Sequence, residues 1–225
     1  MKINELKSIL EKKKADLALF YNSDSTRANP NMLYFSGYPG LGALIAPKKQ
    51  APFLIVPEME IERAKQSMIK RVYSMEKGRF FESICTIIKK NGLKIKKIAI
   101  DRSNFTLNAF KHLKKQFKKL KSGDVASECL KLRMIKTEKE MHYLRESCNY
   151  SDKIIQKAIK NFKDFKTESE AAAFLVYETK KNGLELSFNP IVASGSNASM
   201  PHHEPVNVKT KKGFRLTHFK DIEIS

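Results

Sequence analysis

The stretch Phe188-Asn189-Pro190-Ile191-Val192-Ala193-Ser194-Gly195 joins a β-branched run to a glycine turn, and Pro201-His202-His203-Glu204-Pro205 follows it. The run Ile191–Ser194 favours a strand, and the Gly-Ser-Asn sequence after it is typical of a turn. Two histidines in a loop after a strand can exchange protons near neutral pH, because imidazole has a pKa of about 6.5. Exposed histidine pairs are also common without any function. The residues alone leave both interpretations open.

Two helix-capping motifs precede this stretch. Thr137-Glu138-Lys139-Glu140 is a capping box that predicts the start of a long helix. Apolar residues then repeat every three or four positions, which predicts a helix as far as about Asn161. Thr167-Glu168-Ser169-Glu170 is a second box, and it predicts a helix that ends near Gly183. Ser187–Asn189 is predicted to be a further short strand.

Residues 1–128 alternate short apolar runs with helical patterns. Asn4 is expected to cap a first helix that ends near Lys14. The alternation predicts an α/β fold in which helices cover a mixed or parallel sheet. The predicted strands are Leu17–Tyr21, Met32–Phe35, Ala43–Ala46, Phe53–Val56, Val72–Ser74 and Ile98–Asp101, and the predicted helices between them are Glu58–Lys70, Phe80–Asn91 and Phe105–Lys121.

Composition excludes several protein classes. The chain has 225 residues, of which 41% are hydrophobic, and this is enough for a core of one or two domains. It has no run of about 18 apolar residues and no signal-peptide pattern after Met1, so neither a membrane span nor export is expected. The cysteines Cys85, Cys129 and Cys148 are odd in number and have no metal-site spacing, which favours reduced core thiols. A cytoplasmic location is therefore expected.

The net charge of +19 is unevenly distributed, with +14 in residues 1–128 and +5 in residues 129–225. Residues 89–121 hold twelve basic side chains and one acidic side chain, Asp101. A solvated helix face is the ordinary interpretation of such a run. A surface that contacts nucleic-acid phosphates is the alternative, although no helix-turn-helix, zinc-finger or aromatic RNA-binding motif accompanies it.

The order of these motifs resembles the Xaa-Pro dipeptidase and aminopeptidase P group of metallopeptidases, the creatinase or pita-bread family M24. The resemblance rests on the segment Arg133–Glu140, the Thr-Glu-Ser-Glu start of the second helix, Ile191–Gly195 and Pro201-His202-His203. In the first part, Asn31–Tyr38 resembles the strand and aromatic-Ser-Gly-aromatic turn of a creatinase-like N-terminal domain. The resemblance implies a creatinase-like domain at residues 1–128 and an incomplete pita-bread peptidase domain at residues 129–225, with an aberrant tail from about 214.

The resemblance also implies a chemistry. Active members hydrolyse the bond before proline with two divalent metals, commonly manganese, cobalt or zinc, held by two Asp, one His and two Glu. The metals activate a water and polarise the scissile carbonyl. By resemblance, His202 is the catalytic histidine beside the metals and His203 is a substrate-binding neighbour. Proline-containing peptides would be the substrates, and a homodimer is possible.

The end of the chain departs from the family pattern. His218 stands where the family has its first metal-ligand Asp, and Lys220 stands where it has Gly. Alternation along a strand would place His218 opposite Asp221 and Glu223, which disfavours a local metal site. No cofactor is therefore expected for this chain. A frameshift or premature stop near Gly213, which would leave the helices with exposed apolar surface, is the expected origin of the tail.

Two functions are consistent with these observations. The first is an Xaa-Pro peptidase homologue that is inactive alone because it lacks the metal ligands. The second is a non-catalytic pita-bread module that binds protein or nucleic acid, for which residues 89–121 would be suitable.

Overall fold

The computed structural model describes residues 2–23, 28–76, 78–117 and 119–210, and the backbone of 214–217 and 222–223. The chain forms two compact units, Met1–Ile135 and Lys136–Ser225. The domain boundary predicted after residue 128 falls inside the helix Ala126–Met134, whose residue Cys129 packs in the core of the first unit. No described helix has the length and apolar composition needed to cross a bilayer.

The first unit is a sheet with helices on both faces, so the predicted α/β class is confirmed. Its strand order is β4-β3-β2-β1-β5-β6. Strand β2 runs antiparallel to β1 and β3, and the other neighbours pair in parallel. The elements are α1 Ile3–Lys12, β1 Leu17–Asn22, α2 Pro30–Ser36, β2 Gly42–Pro47, β3 Phe53–Pro57, α3 Ile61–Lys65, β4 Val72–Met75, α4 Phe80–Lys90, β5 Lys97–Ile100, α5 Leu107–Gln116, β6 Lys121–Asp124 and α6 Ala126–Met134.

Two hydrophobic cores lie on the two faces of this sheet. Alternate residues of β1 belong to different cores, because successive strand side chains point to opposite faces. Phe20 packs with Met32 and Leu44 in one core, whereas Leu19 packs with Ile45 and other residues in the second core. All six residues of β1 are buried, which is expected of a strand covered on both faces.

The strand predicted at Met32–Phe35 was wrong, because these residues lie in helix α2. The side chain of Asn29 accepts hydrogen bonds from the Asn31 and Met32 amides, and Pro30 occupies the first helical turn. Gly37 ends the helix with φ of +67°. The apolar run is therefore bounded by helix signals rather than strand signals.

Other local predictions also needed correction. Asn4 does not cap α1, because the helix begins at Ile3 and the cap position is Lys2, which makes no side-chain capping bond. The helix predicted at Glu58–Lys70 is a 3₁₀ turn at Glu58–Glu60 followed by the five-residue α3. The helix predicted at Phe105–Lys121 ends at Gln116, and β6 follows it.

The second unit begins with the two predicted helices, α7 (Glu138–Lys160) and α8 (Glu168–Lys181). The capping box at α7 is confirmed: the Thr137 hydroxyl accepts from the Glu140 amide, and the Glu140 carboxylate accepts from the Thr137 amide. Ile154, Ala158, Leu175 and Val192 form part of the core. The strands are β7 Glu185–Leu186, β8 Ile191–Ser194, β9 Phe214–Thr217 and β10 Ile222–Glu223, with β8 antiparallel to β9 and β7 antiparallel to β10.

The strand predicted at Ser187–Asn189 was wrong, because β7 ends at Leu186 and β8 begins at Ile191. Asn189 is followed by Pro190, which has no amide hydrogen to donate to a strand ladder. The 3₁₀ turn Gly195–Ser199 follows β8 where a turn was predicted. The predicted tail residues His218, Lys220 and Asp221 lie outside the described residues.

Candidate functional site

The candidate site is built around Glu168, the first residue of α8, whose side chain is completely buried. Thr167 caps the helix, because its hydroxyl accepts a hydrogen bond from the Glu170 amide. Oε1 of Glu168 accepts hydrogen bonds from the Ser194 amide at 2.7 Å and from the Ser194 hydroxyl at 2.9 Å. It also accepts one from the Asn197 side-chain amide at 3.1 Å. One carboxylate oxygen therefore holds both the last residue of the strand and the turn after it.

The second oxygen of Glu168 holds the loop of residues 200–206, which we call the histidine loop because it contains His202 and His203. His203 Nε2 lies 2.7 Å from Oε2 of Glu168, and the Val206 amide donates to the same oxygen at 3.3 Å. The His203 side chain is only 9% exposed. Further along, the Thr210 amide donates to the Lys166 carbonyl at 3.0 Å, so the chain after the loop is also anchored at the start of α8. A buried carboxylate thus determines the path of residues 194–206.

The hydrogen bonds change the acidity of Glu168. Burial alone would raise the pKa of its carboxyl, because a charge is poorly solvated in the interior. The hydrogen bonds from His203, Asn197 and Ser194 outweigh burial and lower this pKa to about 2. Glu168 is therefore ionised at neutral pH, and a charged acceptor makes each of these bonds stronger than a neutral one.

The two histidines predicted for the site have different environments. His202 is exposed on the loop, whereas His203 is largely buried against Glu168. The imidazole of His202 is therefore accessible to a ligand, whereas the imidazole of His203 hydrogen-bonds the Glu168 carboxylate. Sequence reasoning missed Glu168, because it was interpreted only as part of a capping box. A capping box needs only its first and fourth residues, here Thr167 and Glu170. The additional acidic residue between them, Glu168, was therefore the available signal for a further role.

A groove of about 390 Å³ lies beside the same helix. Its wall includes Ala172 and Val176 of α8 and Pro190, Glu204 and Pro205 from the segments on either side of β8. Neither His202 nor His203 is among the residues that line it. The groove therefore touches the histidine loop at Glu204 and Pro205 but does not contain either histidine.

The described residues do not fit a metal ion. Nowhere in the described part of the chain do three His, Cys, Asp or Glu side chains converge. Glu168 and His203 form a pair, but both carboxylate oxygens already accept hydrogen bonds from protein donors. Burial raises the thiol pKa of Cys85 and Cys129 to about 12, so neither is a thiolate at neutral pH. No chemical step is therefore assigned to a metal held by these residues.

The lowered pKa of Glu168 predicts a dependence of stability on pH. The folded-state value of about 2 lies below the ordinary value of 4.5, so folding favours the ionised carboxyl. Its contribution is complete above about pH 5 and is lost as the pH falls toward 2. We expect the urea midpoint of unfolding to fall more between pH 6 and pH 3 in the wild type than in Glu168→Gln. An equal fall in both proteins would show that other carboxyls cause the acid sensitivity.

Two family models match the chain. The creatinase/prolidase N-terminal domain matches residues 2–135, and metallopeptidase family M24 matches residues 142–218. The Xaa-Pro dipeptidase of Pyrococcus horikoshii is 30% identical over 219 residues, which cover 94% of this chain and 57% of that protein. The Xaa-Pro dipeptidase of Pyrococcus furiosus is 32% identical over 186 residues, covering 81% of this chain and 51% of that protein.

Solved structures of two such enzymes have the same fold as this chain. The prolidase of P. horikoshii superposes with a TM-score of 0.77 at 29% identity, covering 95% of this chain and 58% of the prolidase chain. The X-Pro aminopeptidase of Thermotoga maritima superposes with a TM-score of 0.76 at 27% identity, covering 91% and 58%. The chain thus spans a little more than half the length of these relatives. It belongs to the creatinase/prolidase family, with a creatinase/prolidase N-terminal domain followed by a segment that matches metallopeptidase family M24.

Proposed function

We propose that this chain carries the substrate-side histidines of an Xaa-Pro metallopeptidase. The observation that supports this proposal is the attachment of the histidine loop to the buried Glu168 carboxylate. A fixed loop with one exposed imidazole is suited to hydrogen-bond a peptide, because little conformational freedom remains to be lost on binding. The names of the Xaa-Pro dipeptidase relatives supply the substrate class.

In this proposal the two histidines act differently. His202 offers its exposed imidazole to the peptide and to the charge that develops during hydrolysis. The Nε2 atom of His203 is already hydrogen-bonded to Glu168, so His203 acts on the substrate mainly by orienting the loop. Divalent metals would supply the activated water in the metallopeptidase relatives, and no group of three metal-ligating side chains lies among the described residues of this chain.

We propose further that the chain alone does not hydrolyse Xaa-Pro dipeptides. By the family resemblance, position 218, where the first metal ligand would fall, is occupied by His. We expect no release of proline from Gly-Pro with added manganese or cobalt, beyond that of His202→Ala. Turnover that His202→Ala abolishes would contradict this expectation.

A chimera tests the role of His202 directly. Residues 1–210 of this chain would be joined to the part of the P. horikoshii dipeptidase that begins at the position aligned with residue 211, so that the chimera contains the family's first metal-ligand position. We expect activity with manganese or cobalt, and a fall in kcat of about 100-fold in His202→Ala, as is typical for the loss of a proton-exchanging group. Glu204→Ala, a neighbour in the same loop, is the control. An active chimera with unchanged kcat in His202→Ala would show that His202 has no catalytic role.

A further inference from the structure

The topology of the first unit collects lysines from distant parts of the sequence at one edge of the sheet. Strands β1, β5 and β6 are parallel, so they begin at the same edge, and the antiparallel β2 ends there. The Lys48 amide donates to the Asp16 carbonyl at 3.0 Å, and the Asp16 amide donates to the Lys97 carbonyl at 2.8 Å. The Lys121 amide donates to the Lys96 carbonyl at 3.0 Å. The segments that enter or leave these four strands are therefore direct neighbours.

Five exposed lysines of these segments define the lysine edge. Helices α4 and α5 also end here, because each leads into the start of β5 or β6. The sequence shows only the run 89–121, whereas the structure adds a lysine that follows β2. The lysine edge is formed by Lys49, Lys90, Lys94, Lys115 and Lys121, all of them exposed.

In the part of the chain that the structure describes, the charges of the lysine edge are not paired with acidic side chains. Asp16 lies within the edge, but its carboxylate accepts the amides of Lys96 and Lys97 at 2.7 and 2.9 Å. Glu128 pairs with Lys13 at 2.6 Å. Within the described residues, none of the five lysines of the edge forms an ion pair. Among the described residues, the five lysines therefore have no carboxylate partner, and the edge remains cationic although Asp16 adds one negative charge to it.

The shape and composition of the edge favour one class of anionic partner. A groove of about 300 Å³ lies within it, and Lys49, Gln50 and Lys94 contribute to its wall. The exposed large apolar side chains of the described part of this unit lie elsewhere, for example at Met59 and Leu107. The buried cores of protein interfaces and the membrane-facing sides of membrane-bound helices are enriched in such side chains. Phosphate groups require only charge and hydrogen-bond donors.

Single-stranded nucleic acid is also disfavoured. Proteins that bind single strands stack bases on exposed aromatic rings. The ring of Phe117, the aromatic side chain next to the edge, is half-buried, and the Lys89 ammonium lies 5.5 Å from its centroid. This ring therefore does not offer an open stacking face.

We propose that the lysine edge binds the phosphate backbone of double-helical nucleic acid without reading its sequence. The lysines would neutralise phosphates and release counterions, which makes the affinity fall steeply with salt. This binding is independent of the histidine loop and of the proposed peptidase role, because the lysine edge belongs entirely to the first unit.

The experiment compares binding to a 30-base-pair DNA duplex at several salt concentrations. The test variant replaces Lys49, Lys94, Lys115 and Lys121 by Gln. The control variant replaces the same number of lysines in the second unit, and it therefore has the same net charge. These control positions are Lys153, Lys160, Lys180 and Lys209.

We expect the wild type and the control to bind with similar affinity at about 50 mM salt, and the test variant to bind at least tenfold more weakly. The slope of log K against log salt should decrease in magnitude by about 0.9 for each phosphate that the variant no longer neutralises. Equal weakening in both variants, or no binding by the wild type, would overturn the proposal. Binding to anionic vesicles or to an acidic polypeptide, but not to the duplex, would also overturn it. Single-lysine variants provide the same comparison if the fourfold variant is poorly folded.

Discussion

Replacing Glu168 by alanine is expected to destabilise the second unit by about 3 kcal/mol, because several donors lose an acceptor that is completely buried, at a cost of about 1–3 kcal/mol for each fully buried one. The change would leave the Ser194 and Val206 amides, the Asn197 side chain and His203 without their common acceptor. Each buried donor that loses its partner costs free energy, because water cannot replace the acceptor in the interior. Urea unfolding followed by circular dichroism, with amide exchange of α8, measures the loss.

Two other substitutions make this result specific to Glu168. Glu204→Ala removes a carboxylate from the same loop and should change the free energy of unfolding by less than about 0.5 kcal/mol. Glu168→Gln keeps the size of the side chain and one acceptor oxygen, so it should fall between the wild type and the alanine variant. Similar stability of Glu168→Ala and Glu204→Ala would show that the loop does not depend on the buried carboxylate.

Gly42→Ala is expected to destabilise the first unit by about 3 kcal/mol through backbone strain and a direct clash. Gly42 begins β2 with φ of +143°, a conformation that residues with a Cβ rarely adopt. An added Cβ would lie 2.5 Å from the Ile55 carbonyl oxygen and 2.9 Å from Cγ1 of Val56. The neighbouring atoms belong to the adjacent strand β3, so they cannot move without breaking sheet hydrogen bonds.

Gly92→Ala separates the cost of a clash from the cost of a positive φ. Gly92 has φ of +70°, but an added Cβ there would meet no atom within 4 Å. We expect this variant to lose only about 1 kcal/mol, the usual cost of a positive φ for a residue with a Cβ. Thermal unfolding of both variants measures the difference. Equal losses would mean that β3 moves to accommodate the methyl group of Gly42→Ala.

Predictions from sequence succeeded where the signal was local and the element was long. The capping box at Thr137 and the repeated apolar positions after it identified α7, because a helix satisfies its hydrogen bonds within its own residues. The short run at Met32–Phe35 has no such internal signal. Its cap, Asn29, and its terminating residue, Gly37, lie outside the run and specified a helix.

Strand β6 could not be found from its own residues. Lys121-Ser122-Gly123-Asp124 has neither apolar alternation nor β-branched side chains. It forms a strand because its backbone pairs with β5, from Lys97 opposite Lys121 to Ile100 opposite Asp124. The hydrogen bonds of a strand belong to two segments, so one segment alone does not predict them.

The sequence by itself determined the α/β class, the two long capped helices, the family resemblance and the interest of His202 and His203. These features depend on local propensity, on periodicity and on the order of motifs. Only the tertiary structure decided that Glu168 holds His203 and leaves His202 exposed, and that lysines from separate segments meet at one edge of the sheet. Both results depend on contacts between residues far apart in sequence, and such contacts exist only after the strands have paired and the helices have packed.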